Sequence, residues 1–258
     1  MAAEAGVGID VGSRTTKIVV LKEGEVAAAD VFDTVPGQLP EIRRRLEPWA
    51  GLPLVATGYG RRLLADELGS SVVTEIKACA LGAHRLRPGC RLVLDIGGQD
   101  AKAIRVTPSG GFEDFELNDR CSAGTGRFLE VMAGALGFDL DDFCRAAMSA
   151  DRAAAVSSMC TVFAESEVVA MLAQGEDRKR LALGLYQSIV DRVYPLASRL
   201  EAEGEVLFVG GVARSRCVAG LLRKKLKRDI VVPPNPQIVS ALGAALSAPP
   251  SIFGRPGL

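Results

Sequence analysis

Two cysteines, Cys121 in "NDRCSAGTGRF" and Cys160 in "CTVFAESEV", stand at or just before segments with the apolar spacing of helices. Unpaired N–H groups and the helix dipole stabilise a thiolate at such a position, and thiolates bind metals. Two ligands are too few for a Zn2+ site or an iron–sulfur cluster, which normally take four. A two-fold symmetric dimer would supply the missing pair. The alternative at this point is that both cysteines are small buried core residues.

The remaining cysteines have no partner at metal-ligand spacing and are predicted to fill the core. They are Cys79, Cys90, Cys144 and Cys217. The one histidine, His84, lacks a paired Cys or Asp motif and is assigned a structural role. Thiolate chemistry is therefore expected only in the two motifs above.

A second set of chemical groups follows apolar strands, with Asp10 in "GIDVGSRTTKIVVL" and Asp95 in "VLDIGGQDAKAIRV". When the two aspartates are superimposed, the glycine two residues on and the lysine seven residues on also match. Each stretch reads as a strand, a glycine turn and a second strand, which predicts a hairpin with a glycine-rich tip. The match predicts a duplicated unit. A third glycine turn, in "VLFVGGVARS" from Val206, follows another buried-strand pattern.

A glycine turn directly after a strand lets backbone N–H groups approach a phosphate, because no side chain intervenes. An aspartate at the strand end can hold Mg2+ through water, while a nearby Lys or Gln meets the terminal phosphate or orients the attacking water. One such turn could equally be a tight hairpin with a capping aspartate, but three favour nucleotide binding. Neither G-x-x-x-x-G-K-[ST] nor G-x-G-x-x-G is present, which argues against a P-loop or Rossmann protein.

The elements that must position these groups alternate between strand and helix patterns, which indicates an α/β protein. Helical patterns are predicted at residues 38–47, 61–68, 75–87, 126–136, 139–148, 161–173, 179–203 and 217–227.

The composition is that of an ordinary globular protein, with 258 residues of which 48% are hydrophobic. Thirty-one basic residues balance thirty-one acidic ones, so no global field favours nucleic acid or an anionic membrane as a partner. Glu4 and Asp10 interrupt the apolar run at the N-terminus, which fits neither a signal peptide nor a membrane span. We predict a cytoplasmic protein whose six cysteines do not form structural disulfides.

The segments "GIDVGSRTTK", "LDIGGQDAK" and "VGGVARS" resemble the phosphate-1, phosphate-2 and adenosine signatures of the acetate kinase, sugar kinase, Hsp70 and actin superfamily. The resemblance implies an α/β fold of two RNase H-like, actin-like ATPase domains with ATP in the cleft between them. It implies a first domain of residues 1–90, joined by a C-terminal helix within 237–258. The second domain, 91–236, would carry the two cysteine motifs and the adenosine motif.

More narrowly, "NDRCSAGTGRF", "CTVFAESEV" and "DIGGQD" resemble the ATPase activators of 2-hydroxyacyl-CoA dehydratases, often grouped with the ATPase subunits of benzoyl-CoA reductase. This resemblance implies a homodimer in which Cys121 and Cys160 of each protomer hold one shared 4Fe-4S cluster. It implies that ferredoxin or flavodoxin loads the cluster. Hydrolysis of ATP to ADP would then drive a low-potential electron to a dehydratase, or to a related acyl-CoA-reducing component, in anaerobic metabolism.

The resemblance also assigns roles at the nucleotide. Asp10 and Asp95 would hold Mg2+ through water, and Gln99 would orient the attacking water. Phosphate and nucleoside contacts would come from Gly12, Ser13, Arg14, Thr15, Lys17, Gly97, Gly98, Lys102, Gly210 and Gly211.

One segment departs from the family pattern, because "TEIKACALGA" has Ala78 and Cys79 where related activators often carry a Cys-His pair. The subfamily therefore stays open between a dehydratase activator, a benzoyl-CoA reductase subunit and the ATPase partner of a double-cubane protein. A rival from another class is a small-molecule kinase of the N-acetylglucosamine kinase type, which would need a sugar pocket with a catalytic aspartate and no cluster. A nucleotide-dependent scaffold without ATP turnover is the third option.

Overall fold

The computed structural model of the protein describes residues 5–157 and 160–249. The predicted first domain begins at residue 1 and its returning segment runs to residue 258, so residues 1–4 and 250–258 of that prediction lie outside the described residues. In the described part, ten strands form two sheets of five. Each sheet is built around a hairpin that carries one of the two aspartates.

The first sheet has the strand order β3-β2-β1-β4-β5. Its strands are β1 (Gly6–Val11), β2 (Thr15–Lys22), β3 (Glu25–Asp33), β4 (Leu54–Gly58) and β5 (Ser71–Val72). β1 runs antiparallel to β2, with Asp10 opposite Lys17, and parallel to β4, with Asp10 beside Thr57. The predicted glycine-tipped hairpin is therefore confirmed.

The second sheet repeats this arrangement, with the order β10-β9-β6-β7-β8. Its strands are β6 (Leu92–Ile96), β7 (Ala101–Val106), β8 (Phe112–Asn118), β9 (Val206–Val209) and β10 (Ile230–Val231). β6 runs antiparallel to β7, with Asp95 opposite Lys102, and parallel to β9, with Asp95 beside Val209. The equal pattern confirms the duplicated unit and the α/β class with two RNase H-like sheets.

The helices of the described residues match the predicted segments closely at most ends. They are α1 (Leu39–Leu46), α2 (Arg61–Leu68), α3 (Glu75–Leu86), α4 (Gly126–Ala135), α5 (Leu140–Met148), α6 (Thr161–Ala173), α7 (Arg178–Ser198), α8 (Arg216–Leu226) and α9 (Val239–Leu246). The exception is α7, predicted to continue to residue 203. It ends at Ser198 because Glu201 and Gly204 adopt positive φ angles of 44° and 84°, which cannot continue a right-handed helix.

The chain divides into two compact units. The first contains the chain up to Gly89, the segment Val106–Glu113 and the chain from Gln237 onward. The second contains Cys90–Arg105 and Asp114–Pro236. The connection between β7 and β8 therefore belongs to the first unit. The sequence pattern did not predict this division. We keep 1–90 with 237–258, and 91–236, as the proposed domains.

Helix α9 returns to the first unit and packs against α3, β1 and β2, as predicted for the final helix. Glycines allow this approach, because a Cβ at Gly243 would lie 1.6 Å from the carbonyl oxygen of Ala78. A Cβ at Gly8 would likewise lie 2.0 Å from the carbonyl oxygen of Ala241. Backbone therefore packs directly on backbone around the strand that ends in Asp10.

The core of the second unit is built from large side chains of its helices and central strand. Phe128, Phe143, Tyr186 and Phe208 are fully buried, and the rings of Phe143 and Tyr186 lie 4.8 Å apart between centroids. The ring contact joins α5 to α7, and Phe128 of α4 and Phe208 of β9 belong to the same core. Across residues 5–157 and 160–249, every helix is too short or too polar to cross a membrane.

Candidate functional site

The first of two similar sites surrounds Asp10 at the end of β1, and we call Asp10, Lys17, Thr57 and Gly58 the first-unit carboxylate site. Asp10 is 4% exposed, and its Oδ2 accepts a hydrogen bond from Lys17 Nζ at 3.1 Å. The hairpin register produces this ion pair, because Asp10 and Lys17 are direct cross-strand neighbours. The second oxygen, Oδ1, is buried and accepts no hydrogen bond from the residues that the structure describes.

Gly58 leaves space in front of that second oxygen. It ends β4 with a φ of 81°, and a Cβ there would lie 2.4 Å from Asp10 Oδ1. Any side chain would therefore cover the one carboxylate oxygen that has no protein partner. The sequence interpretation missed Gly58. The signal was "LVATGYG", a further buried strand that ends in glycine.

The second-unit carboxylate site consists of Asp95, Asp100, Lys102 and Gly210. Lys102 Nζ lies 2.8 Å from Asp100 Oδ2 and 3.7 Å from Asp95 Oδ2, and all three side chains are buried. Gly210 has a φ of 86° and occupies the same position relative to Asp95 as Gly58 does relative to Asp10. A Cβ at Gly210 would also lie 2.4 Å from the aspartate oxygen, here Asp95 Oδ1. The sequence interpretation missed Asp100, which shares the lysine with Asp95.

The glycine turns between the paired strands are short and closed by their own backbone. Gly12 N–H donates to the carbonyl of Thr15 at 3.1 Å, and Gly97 N–H donates to that of Asp100 at 2.9 Å. The predicted phosphate and nucleoside contacts in these turns are accessible. Arg14, Gln99 and Gly211 are exposed, and Gly12, Ser13, Thr15, Lys17, Gly97, Gly98 and Gly210 are half-buried. The predicted residues therefore gather around two aspartates, one set in each unit.

The residues present fit a magnesium nucleotide. Asp10 Oδ1 is buried without a partner among the described residues, which costs free energy unless a ligand or water uses it. Carboxylate oxygens suit Mg2+, while glycine N–H groups and a lysine suit phosphate oxygens.

Gly58→Ala tests the space in front of Asp10. We expect ATP hydrolysis to fall about a hundredfold, because the new methyl group displaces whatever Asp10 Oδ1 holds. Gly69→Ala is the matched control, since Gly69 also has a positive φ, 65°, but a Cβ there meets nothing within 4 Å. A Cβ at Gly58 would also lie 2.5 Å from the backbone oxygen of Val11, so we expect a lower urea midpoint for Gly58→Ala than for Gly69→Ala, and hydrolysis is compared per folded protein. Equal hydrolysis by the two variants would contradict the assignment.

The two cysteines of the predicted cluster are exposed, so the alternative of two buried core residues is wrong. Cys79, Cys90 and Cys217 are buried as predicted, whereas Cys144 lies half-buried at the core edge. Burial raises the pKa of the Cys90 thiol, and burial with the nearby Cys144 raises that of Cys217 to about 12. These two thiols stay protonated near neutral pH and are poor metal ligands.

A hydrogen bond joins the loops of Cys121 and Cys160. The next residue after each cysteine supplies it, because Ser122 Oγ and Thr161 Oγ1 lie 3.0 Å apart. Cys160 is the N-cap of α6, and its side chain makes no capping hydrogen bond. A thiolate at this N-cap position would be stabilised by the helix N-terminus.

Glu167 of α6 also forms hydrogen bonds near Cys160. Its Oε1 accepts hydrogen bonds from the N–H and the hydroxyl of Ser157, both at 2.8 Å. The contact ties the segment before Cys160 to α6. A link of this kind is not visible in spacing, because residues 157 and 167 belong to different elements.

A chain of hydrogen bonds connects the second-unit glycine turn to the cysteine loops. The carbonyls of Gly97 and Gly98 accept from the first two N–H groups of α4, those of Gly126 and Arg127, both at 2.9 Å. Thr125, just before α4, donates from its hydroxyl to the carbonyl of Ser122 at 2.6 Å. The turn that carries Asp95 is thus coupled through α4 to the residue that follows Cys121.

Helix α6 leaves an apolar face uncovered beside Cys160. Val162 and Phe163 are 67% and 68% exposed, and Val169 is 54% exposed. Among the described residues, no three His, Cys, Asp or Glu side chains come within reach of one ion. Within this part of the chain, the thiol ligands that one protomer offers at this surface are Cys121 and Cys160.

Comparison with protein families finds one match across almost the whole chain. The model of the BadF/BadG/BcrA/BcrD ATPase family matches residues 7–248. The activator of lactoyl-CoA dehydratase from Anaerotignum propionicum is 43% identical over 250 residues, which cover 93% of this chain and 96% of that protein.

Two solved structures share the fold at similar identity. The (R)-2-hydroxyglutaryl-CoA dehydratase component A of Acidaminococcus fermentans superposes with a TM-score of 0.88 at 38% identity, covering 95% of this chain and 98% of that one. The activator of the 2-hydroxyisocaproyl-CoA dehydratase from Clostridium difficile, with bound ADPNP, superposes with a TM-score of 0.86 at 35% identity, covering 95% and 94%.

Proposed function

The chain belongs to the BadF/BadG/BcrA/BcrD ATPase family and is an ATPase, and from this premise we propose that it is the ATP-dependent activator of a 2-hydroxyacyl-CoA dehydratase. In this proposal a homodimer carries one 4Fe-4S cluster and delivers a low-potential electron to the dehydratase. The observation that carries it is the hydrogen-bonded path from the Gly97–Gly98 turn through α4 to the loops of both exposed cysteines.

The nucleotide would be held by the turns of both carboxylate sites. Asp10 and Asp95 would bind Mg2+ through water, and the bound ion would neutralise phosphate charge. Lys17 and Lys102 would add positive charge to the phosphates, and Gln99 would orient the attacking water. The backbone N–H groups of the glycine turns would contact phosphate and nucleoside, at Gly12, Ser13, Arg14, Thr15, Gly97, Gly98, Gly210 and Gly211.

The cluster would be held by Cys121 and Cys160 of both protomers, four thiolates in all. It would supply one-electron chemistry at low potential. Exposure of both thiols and the position of Cys160 at the N-terminus of α6 support this assignment. The uncovered side chains Val162, Phe163 and Val169 support a dimer that buries this face, because large apolar side chains gain free energy when they leave water.

Nucleotide state would control the cysteines through α4. ATP and ADP would bind the Gly97–Gly98 turn with different geometry, and the turn's two carbonyls hold the first N–H groups of α4. A shift of that helix end would move Ser122, and through Thr161 it would move the start of α6. Such control requires that the nucleotide bind the two arrangements with different affinity.

Relatives support the choice of partner. The activators named above serve lactoyl-CoA, hydroxyglutaryl-CoA and hydroxyisocaproyl-CoA dehydratases, so we propose a 2-hydroxyacyl-CoA dehydratase or a related acyl-CoA-reducing component for this chain. We propose ferredoxin or flavodoxin as electron donor, in anaerobic metabolism in the cytoplasm, where six free thiols are stable. A benzoyl-CoA reductase or a double-cubane protein is the second candidate partner.

The experiment that separates this function from that of a small-molecule kinase is anaerobic ATP turnover. We expect the dimer to release phosphate from ATP with no acceptor present, because water oriented at Gln99 is the proposed nucleophile. Addition of glucose or N-acetylglucosamine should leave the rate unchanged and yield no sugar phosphate. A strict requirement for a sugar would overturn the proposal in favour of the kinase, and absent turnover would favour the scaffold.

A further inference from the structure

Thr57 carries a buried hydroxyl that no part of the proposed function uses. The side chain is fully buried on β4, and Thr57 Oγ1 has no hydrogen-bond partner in the described part of the chain. Burial of a hydroxyl without a partner lowers stability relative to a methyl group of the same shape. A valine would therefore suit a purely structural position better.

Thr57 is the direct neighbour of Asp10 on the adjacent strand. β1 and β4 are parallel with Asp10 in register with Thr57, so the two side chains lie on the same face of the sheet. The pair two residues earlier on the two strands supports this common face. Gly8 faces α9, and its neighbour on β4, Val55, packs with Ala244 of α9. The first-unit carboxylate site thus holds two buried polar atoms without partners on adjacent strands.

The second unit provides an internal comparison. There Val209 occupies the position of Thr57, in register with Asp95, and is buried in the same way. A valine is therefore compatible with this place in the duplicated unit. Threonine in the first unit keeps a hydroxyl that this fold does not require.

We infer that Thr57 is a positioning residue for the magnesium nucleotide, its hydroxyl bonding the same water or phosphate oxygen that faces Asp10 Oδ1. This inference rests on the proposed assignment of Asp10 to Mg2+. Thr57 fixes the orientation of that group, and Asp10 supplies the charge. In the second unit the corresponding aspartate instead shares a lysine with Asp100.

The test pairs stability with magnesium dependence in Thr57→Val and Thr57→Ser. Thermal unfolding with ADP at increasing Mg2+ gives the half-saturating Mg2+ concentration, and urea unfolding without ligand gives stability. For Thr57→Val we expect a urea midpoint no lower than wild type and about a tenfold higher half-saturating Mg2+ concentration, the loss of one hydrogen bond. Thr57→Ser should restore the magnesium dependence although it loses a buried methyl group.

Ser70→Ala is the matched control, because Ser70 Oγ is also buried without a partner but lies beside β5. It should leave magnesium dependence unchanged. A Thr57→Val protein that is less stable than wild type, or that keeps the wild-type magnesium dependence, would overturn the inference. If wild-type protein itself shows no magnesium-dependent stabilisation by ADP, the proposed nucleotide site fails, and this inference fails with it.

Discussion

Asp10→Ala is expected to lower ATP hydrolysis at least about a hundredfold, because it removes the carboxylate that would hold Mg2+ against the phosphates. The substitution also leaves Lys17, which is largely buried, without its ion-pair partner. Two positive charges, the lysine and the metal, would then face each other without the anion between them. Steady-state phosphate release at saturating Mg2+ measures the loss.

The control for Asp10→Ala must distinguish a loss of ATP hydrolysis at the site from a loss of the folded structure. Asp10→Asn keeps the side-chain shape and a carbonyl oxygen for Lys17, so it should stay folded while hydrolysis still falls steeply. Asp66→Ala removes an exposed aspartate of α2 in the same unit and should hydrolyse ATP at the wild-type rate. A folded Asp10→Asn protein with wild-type activity would contradict the assigned role.

Cys121→Ser or Cys160→Ser should each abolish iron binding and weaken the dimer. Each change removes two of the four thiolates, since both protomers carry it, and shared ligation contributes to association. Wild-type protein reconstituted anaerobically with iron and sulfide should be brown and contain about four iron atoms per dimer. Iron analysis and sedimentation measure the two effects.

Cys144→Ser serves as the matched cysteine control. Its thiol is half-buried in the same unit, with Sγ 3.6 Å from Ser215 Oγ, and it should keep full iron content. Exposure to air should bleach wild type and Cys144→Ser alike. If the Cys121→Ser protein keeps its iron and its dimer, Cys121 is not a ligand of the cluster.

Local signals in the sequence predict β1, β2, β6, β7 and β9, the two hairpins and most helix ends, but not the other five strands of the described residues. The pairing of Asp10 with Lys17 follows from the predicted hairpin, because a short glycine turn fixes the register of its antiparallel strands. The predicted end of α7 is wrong, because the apolar spacing continues past Ser198 whereas the backbone becomes left-handed at Glu201. The spacing of apolar residues indicates which side chains share a face, but it carries little information on backbone angles of this kind.

The parts of the site that were missed depend on neighbours far apart in the chain. Gly58 can be assigned to the site only once β4 is known to lie beside β1. Thr57 can be assigned only once its hydroxyl is known to be buried without a partner among the described residues. The link between Ser122 and Thr161 spans 39 residues and joins two loops that look independent in sequence. Parallel pairing and loop contacts of this range leave no periodic signal.

Native mass spectrometry of the anaerobically reconstituted wild-type protein tests whether two protomers share one cluster, because one spectrum reports both oligomeric state and bound iron. We expect a species of two chains with one 4Fe-4S cluster, about four iron and four sulfide per dimer, which separates into iron-free chains after air exposure. A protein that remains iron-free after reconstitution, or that binds its iron on single chains, would contradict it.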